Sequence, residues 1–175
     1  MASAREADFY FEKYDSIPIN DYLKYIGPIK GGKFHGLGRI MTNKGEMVYE
    51  GEFYQGKYDG KGKLWNFLKK SRPKQIPISA EIVANYMTLA TTNYLKDLGG
   101  DRGLLNVNFS EENWEVYRGY FKEGKKHGCG KLKLTDGRVY EGEFVNGLAN
   151  GYGMLHYFDK SLAGRWQDNI LEQFL

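Results

Sequence analysis

The sequence has one cysteine, four prolines and no apolar run that approaches the roughly 20 residues of a membrane-spanning helix. One cysteine cannot form an internal disulfide, so the composition favours an intracellular protein. The 25 basic and 22 acidic residues leave a net charge of +3, which gives no strong attraction to nucleic acid. The first 15 residues carry four acidic side chains and no continuous apolar region, which argues against a secretory signal or an acid-poor transit peptide.

Glycine is the residue that the chain has in excess. Its 23 glycines are about twice the ordinary share of roughly 7%. A collagen-like or low-complexity chain is excluded, because prolines are few while 41% of the residues are hydrophobic and 15% aromatic. We therefore expect a packed domain in which the glycines fill defined positions.

The glycines belong to a repeated unit of 16 residues, shown by YEGEFYQGKYDGKGKL at residues 49–64. Four copies begin at Tyr25, Tyr49, Tyr117 and Tyr140, and a truncated fifth begins at Leu162. Each of the four full copies has tyrosine at position 1 and glycine at positions 3, 8, 12 and 14, and most of them have an aromatic residue at position 5. The repeat residues on which this pattern rests are Tyr25, Gly27, Gly36, Gly38, Tyr49, Gly51, Phe53, Gly60, Gly62, Tyr117, Gly119, Phe121, Gly128, Gly130, Tyr140, Gly142, Phe144, Gly151, Gly153 and Trp166.

Each unit is predicted to form a β-hairpin. Alternation places positions 1, 3 and 5 on one face of a strand and residues such as Glu50 and Glu52 on the other. We expect positions 6 to 12 to turn the chain and positions 12 to 16 to form the return strand. Strand glycines leave room for an aromatic ring on the backbone, so we expect the rings of one hairpin to cover the glycines of the next. Such units must stack into an elongated array.

This pattern closely resembles the MORN repeat (membrane occupation and recognition nexus), with Ile29 and Ile40 in place of the aromatic residue and the leucine in the first copy. The resemblance implies a mainly β fold, an elongated single-layer antiparallel sheet of stacked hairpins, and this chain departs from the family pattern by one insertion that we predict to be helical. The resemblance also implies a scaffold or attachment module, and some members of the family are linked to phosphoinositide membranes or cytoskeletal assemblies.

The predicted organisation has five parts. An N-terminal extension or cap at 1–24 precedes repeats 1 and 2 at 25–67, and an insertion at 68–116 separates these from repeats 3 and 4 at 117–161. The truncated fifth repeat and a C-terminal cap occupy 162–175. Within the insertion, Ser79 as N-cap and an apolar stripe predict a helix near 80–98, followed by a short strand. The stripe either covers one face of the sheet or binds a partner.

The segment KKHGCGK at 125–131 offers His127 and Cys129, but the repeat accounts for both. His127 occupies position 11, where the other copies have His35, Asp59 and Asn150, all residues that suit a turn. Two potential ligands fall short of the usual four of a zinc site, and no base stands beside a nucleophile in the pattern. We therefore predict no catalytic residue, no metal site and no cofactor.

The residues outside the repeats supply the candidate binding sites. Tyr86, Met87 and Tyr94 in the predicted helix and Phe174 and Leu175 at the C-terminus are candidate partner-binding residues. The basic run KKSRPK is a candidate contact for anionic phospholipid headgroups, or else a solvated loop, and its cations are Lys69, Lys70, Arg72 and Lys74.

Together these features predict a non-catalytic scaffold that binds other proteins in a large intracellular assembly. The resemblance makes a cytoskeletal or ciliary setting, such as an axoneme, the first expectation. The alternative is a peripheral phospholipid-binding adaptor that uses the basic loop 69–74. We expect no nucleic-acid partner, and pairing of two arrays into a homodimer stays open.

Overall fold

The computed structural model describes residues 10–66, 113–157 and 160–175. The helix predicted near 80–98 and the short strand after it lie outside these residues. Thirteen strands occur in the described part of the chain. Their bounds are β1 Ser16–Pro18, β2 Leu23–Ile26, β3 Ile29–Lys30, β4 Lys33–Phe34, β5 Gly36–Thr42, β6 Met47–Tyr54, β7 Lys57–Trp65, β8 Trp114–Lys122, β9 Lys125–Leu134, β10 Val139–Val145, β11 Leu148–Tyr157, β12 Lys160–Gln167 and β13 Ile170–Phe174.

Eleven of these strands form one antiparallel sheet in the order β1-β2-β5-β6-β7-β8-β9-β10-β11-β12-β13. The remaining two, β3 and β4, pair with each other and form the outer end of the first hairpin. Neighbours in the sheet are neighbours along the chain, so every repeat packs only on the repeats before and after it. The predicted elongated array of stacked hairpins is confirmed.

One register joins every repeat to the next, including the two that the insertion separates. Gly38 lies opposite Gly51 at the first junction, and Gly130 lies opposite Gly142 at the third. The second junction pairs Gly62 with Gly119 in the same way, although the chain between β7 and β8 is far longer. The repeats on the two sides of the insertion therefore pair in the same register as repeats that follow each other directly along the chain.

The hairpin turns are tighter than the sequence predicted. Positive φ at two successive residues, such as 49° and 85° at Gln55 and Gly56, is typical of a two-residue type I′ turn. Glu123 and Gly124 repeat these values closely with 50° and 85°. The turn is thus confined to positions 7 and 8, and the prediction of a turn from position 6 to position 12 was wrong. Position 9 already begins the return strand, because a type I′ turn matches the twist of the paired strands.

The position-1 tyrosines cover the glycines of their own hairpin. A Cβ atom on Gly62 would lie 2.7 Å from Tyr49 Cζ, and one on Gly142 would lie 2.7 Å from Tyr140 Cζ. The tyrosine hydroxyl reaches past the glycines, and Tyr49 Oη donates a hydrogen bond to the carbonyl of Glu52 at 3.0 Å. The prediction that rings cover the glycines of the next hairpin was therefore wrong, because the two glycines of one hairpin face each other directly beneath the ring.

On this side of the sheet, the side chains of adjacent repeats contact each other through their aromatic rings. In each repeat after the first, the position-5 aromatic residue meets the tyrosine of the preceding repeat edge to face, as Phe53 meets Tyr25 with ring centroids 5.2 Å apart. The last such pair joins Trp166 to Tyr140 at 5.1 Å. Aromatic pairs of this geometry are worth about 0.5 to 1.5 kcal/mol beyond the area they bury. The rings form one continuous core along what we call the aromatic face.

The two ends of the sheet are built differently. At the N-terminal end Phe11 is buried, and the Arg39 guanidinium lies 4.0 Å from its ring centroid. At the C-terminal end Phe174 packs against the core, while Leu175 is 78% exposed and its amide donates to the carbonyl of Ala163 at 3.0 Å. The candidate partner-binding residues of the C-terminus therefore differ, because Phe174 is partly buried whereas Leu175 is mostly exposed.

Candidate protein-interaction surface

The side of the sheet opposite the aromatic face carries positions 2, 4, 6, 13 and 15 of each repeat, and we call it the outer face. Strand alternation places these side chains away from the tyrosines and glycines. Several are large and apolar yet exposed, with exposed fractions of 57% for Tyr54, 43% for Tyr120 and 59% for Tyr152. Further exposed apolar side chains of this face include Leu37, Val145 and Met154.

In repeats 2 and 4 a glutamate at position 4 fixes the local backbone of the outer face. The Glu52 carboxylate accepts a hydrogen bond from the amide of Lys61 at 3.0 Å. A Cβ on Gly60, whose φ is +102°, would lie 2.6 Å from the same carboxylate. Position 4 of repeat 3 is Tyr120 instead, which pairs across the hairpin with His127. Repeat 3 therefore exposes an aromatic ring where its neighbours have a backbone-bound carboxylate.

Basic side chains form a row across the middle of the outer face. Lys63 on β7 lies opposite Arg118 on β8, which lies opposite Lys131 on β9. Burial lowers the pKa of the Lys63 ammonium, and the neighbouring Arg118 charge lowers it further. Both effects oppose the charged form of the lysine.

Carboxylates border this row on both sides. Arg39 Nε lies 2.6 Å from Glu50 Oε2, and Lys131 forms an ion pair with Glu141. The hydrogen bond from Lys131 lowers the pKa of the Glu141 carboxyl. Among the described residues of this row, Lys63, Arg118 and Lys131 are adjacent cations, with Glu50 on one side of them and Glu141 on the other.

The structure describes the repeat residues but not the candidate residues of the insertion. The repeat residues lie in the strands and in the bends between them, where they build the aromatic face rather than a binding surface. The candidate residues Tyr86, Met87 and Tyr94 lie outside the described residues, and so do the candidate lipid contacts Lys69, Lys70, Arg72 and Lys74.

His127 and Cys129 are both on β9 and do not form a site of their own. His127 pairs with Tyr120, and Cys129 lies opposite Glu143 with its side chain exposed. In the described ranges, no group of three or more His, Cys, Asp and Glu side chains is placed to hold a metal ion. The same ranges contain no helix with the length and apolar character needed to cross a membrane.

Sequence reasoning missed the outer-face residues Lys63, Arg118, Tyr120 and Tyr152. A sequence signal was present for Arg118, Tyr120 and Tyr152. They occupy solvent-facing positions of the repeat at which the copies disagree in residue type. Position 4 reads Glu52, Tyr120 and Glu143 in successive copies, so a tyrosine there departs from the repeat. Departures of this kind at solvent-facing positions mark what is individual to the chain.

Comparison with known proteins identifies the same repeat that the sequence pattern predicts. The family described as MORN repeat matches residues 25–47, 49–66, 117–137 and 140–161. Alsin from Rattus norvegicus is 43% identical over 59 residues, and alsin from Homo sapiens is 40% identical over 59 residues; each alignment covers 30% of this chain and 4% of the alsin. ALS2 C-terminal-like protein from Bos taurus is 29% identical over 126 residues, which is 70% of this chain and 11% of that protein. The chain therefore spans only a small part of the length of these relatives.

Proposed function

Since the chain is a MORN-repeat protein, we propose that it is a non-catalytic scaffold subunit that holds other proteins together in a large intracellular assembly. The repeats and the alsin-like relatives indicate a protein-interaction or membrane-associated module. The scaffold role is our choice between these two. Among settings for it, we favour the cytoskeleton or a cilium, following the family resemblance.

The exposed tyrosines of the outer face are the observation that supports a protein partner most directly. Tyr120 and Tyr152 lie on this face in neighbouring repeats and keep 43% and 59% of their surface exposed. Tyrosine loses little side-chain entropy on binding and offers both an apolar ring and a hydroxyl, so it is enriched where proteins meet. A solvated sheet face with no binding role is ordinarily covered by charged or small polar side chains.

The architecture supports a scaffold in a second way. Because each repeat contacts only its neighbours, the array presents a long surface whose parts are fixed relative to one another by the aromatic core. Such a surface can hold more than one partner, and linked binding events strengthen one another.

The rival proposal is a peripheral adaptor that binds anionic phospholipid through Lys69, Lys70, Arg72 and Lys74. Each well-placed basic residue contributes about 1 kcal/mol to membrane binding. Neutralising all four should abolish sedimentation with phosphatidylserine-containing liposomes under this proposal. Under the scaffold proposal, the same variant should stay in its assembly.

The first experiment is native size fractionation of a source lysate, with mass spectrometry of the proteins that travel with this chain. We expect nearly all of the protein in a large particle whose other members then name the assembly. Migration as a lone monomer or dimer would contradict the scaffold proposal.

A substitution experiment then asks whether the outer face is used. A variant with Tyr120→Ser and Tyr152→Ser should leave the particle, because both rings lose their contact area. Tyr22→Ser is the matched control, since Tyr22 is 77% exposed and lies outside the repeats. Retention of the double variant at the level of the control would exclude the outer-face tyrosines as the contact.

A further inference from the structure

The junction between β7 and β8 carries an ordered grid of basic and aromatic side chains on the outer face. Reading across the two strands, Lys61 lies opposite Tyr120, Lys63 lies opposite Arg118, and Trp65 lies opposite Val116. Lys63 Nζ lies 4.3 Å from the Trp65 ring centroid, and Lys61 Nζ lies 5.3 Å from that of Tyr120. We call Lys61, Lys63, Trp65, Arg118 and Tyr120 the junction patch.

Two cations of this patch have no carboxylate in ion-pair contact, although Glu50 lies opposite Lys63 on β6 and pairs instead with Arg39. Lys133 pairs with Glu115 at 2.9 Å, and Lys131 pairs with Glu141. In contrast, Lys63 and Arg118 form no ion pair anywhere in the described ranges 10–66, 113–157 and 160–175.

The arrangement of these two cations is unfavourable for the isolated protein. Like charges placed directly opposite each other on a sheet are destabilising, and Arg118 also has Lys131 on its other side. The Glu50 carboxylate opposite Lys63 offsets part of this repulsion, and an anion supplied by another molecule would offset more of it.

The patch also has the residue types that dominate protein contacts. Trp, Tyr and Arg are the residues most enriched among those that carry the binding energy of an interface. Here Trp65, Arg118 and Tyr120 share one face of two adjacent strands, and Tyr120 is exposed. An anionic partner therefore meets rings as well as charges.

The geometry points to an extended acidic peptide segment as the ligand: we propose that a partner protein places aspartate or glutamate side chains, two residues apart, on the junction patch. Lys61 and Lys63 are themselves two residues apart on one strand, a separation of about 6.6 Å at the usual strand rise. An extended acidic segment repeats its same-side carboxylates at this distance. This inference rests on the proposed scaffold function, because it names the chemistry of one partner.

The surroundings of the patch favour a peptide over a membrane. Glu50, Glu52, Glu141 and Glu143 border the cations on the same face. A flat anionic bilayer would meet these carboxylates together with the cations, and within a Debye length of about 8 to 10 Å the two signs largely cancel. A narrow peptide can contact the cations and leave the bordering carboxylates in water.

The test uses fluorescence anisotropy with a fluorescein-labelled Glu-Ser-Glu-Ser-Glu-Ser peptide and the full chain. We expect binding that weakens with salt, no binding of the matching Gln-Ser peptide, and a loss of about tenfold or more in the variant K63E/R118E. K30E/K33E is the matched control, because it has the same charge change and both lysines are exposed on the hairpin β3–β4. It should bind the acidic peptide within about twofold of the unaltered chain, allowing for screening of distant charges.

A milder variant keeps the proposal testable if charge reversal unfolds the chain. Arg118→Gln removes the opposed charges, so we expect an equal or higher Tm together with weaker peptide binding. Equal peptide affinity in Arg118→Gln and the unaltered chain would overturn the proposal. So would an equal loss in K30E/K33E, or binding of phosphatidylserine vesicles with no binding of the acidic peptide.

The outcome can be separated from that of the scaffold proposal. If K63E/R118E stays in the large particle and the acidic peptide does not bind the unaltered chain, the acidic-segment inference fails and the scaffold proposal stands. If the unaltered chain binds the peptide but runs alone in a lysate, the scaffold proposal fails while the patch remains an acidic-peptide site.

Discussion

Substitution of Gly130 by alanine tests the central packing relation of the fold, in which a buried tyrosine lies on two facing glycines. A Cβ at this position would lie 2.5 Å from both Cε2 and Cζ of Tyr117, a distance that real Cβ atoms essentially never show. Gly130 has no left-handed φ, so alanine is otherwise compatible with the strand. The cost of the substitution therefore comes from moving the ring.

The magnitude follows from what the ring does. Tyr117 is fully buried, and its Oη donates a hydrogen bond to the carbonyl of Tyr120 at 3.0 Å. It also meets Phe121 and Phe144 edge to face, with centroids 5.1 Å away in both cases. Overpacking costs about 1 to 3 kcal/mol, the hydrogen bond about 1 kcal/mol and each ring pair about 0.5 to 1.5 kcal/mol. These losses overlap, so we expect the free energy of unfolding to fall by about 3 to 5 kcal/mol.

Thermal and urea unfolding followed by circular dichroism measure this loss. For a chain of this size, each kcal/mol lowers Tm by about 2 to 4 °C, so Tm should fall by about 6 to 20 °C.

A second comparison isolates the cause: with Tyr117→Ala already present, Gly130→Ala should cost less than about 0.5 kcal/mol, because no ring remains to be moved. Gly124→Asn is the control, since asparagine tolerates the φ of +85° and a Cβ there meets nothing within 4 Å. A cost below about 1 kcal/mol for Gly130→Ala alone, or an equal cost in both backgrounds, would refute the reasoning.

Three further predictions concern pH, the insertion and the N-terminal end. Burial raises the pKa of Tyr25 to about 12, and burial also raises the pKa of the other three position-1 tyrosines. The folded state then holds these protons more tightly than the unfolded state, so their contribution to stability is complete below pH 10 and is lost as the pH rises through 12. Absorbance at 295 nm should accordingly show the exposed tyrosines ionising first and the rest ionising with unfolding, whereas a single transition near pH 10 in the folded protein would contradict this. Replacing residues 67–112 by Asn-Gly should leave the β-sheet circular dichroism unchanged, because the Asn66 amide donates to the Glu115 carbonyl at 2.9 Å and the strand ends are already adjacent; loss of the sheet signal would show that the array needs the insertion. Arg39→Ala should lower the free energy of unfolding by at least about 1 kcal/mol, because it removes both the Phe11 contact and the Glu50 ion pair; urea unfolding with no change in midpoint would show that the N-terminal contact is dispensable.

The periodicity of glycine and aromatic residues was enough to predict the repeat, its hairpins and their order, because each repeat contacts only its neighbours. Gly62 opposite Gly119 shows how far this extends, since the pairing holds across an insertion whose length the repeat does not constrain. Local pattern could not predict which glycines a ring would cover. That choice depends on the register across the hairpin, which places Gly51 opposite Gly62 beneath Tyr49.

The candidate binding residues, like the fold, could be predicted from the sequence only in part. The sequence identified Leu175 as a candidate partner-binding residue at the C-terminus, and in the structure this residue is 78% exposed. It gave no reason to join Lys63 with Arg118, because residues on opposite sides of the insertion become neighbours only when β7 pairs with β8.

The sequence by itself determined what one repeat is, because tyrosine, glycine and aromatic residues at fixed spacing define a strand, a turn and a return strand with one aromatic face. Only the tertiary structure decided which outer-face residues meet. The physical reason is that backbone hydrogen bonds between strands bring together side chains that are distant along the chain, and the charges of those side chains act over the distance in space between them.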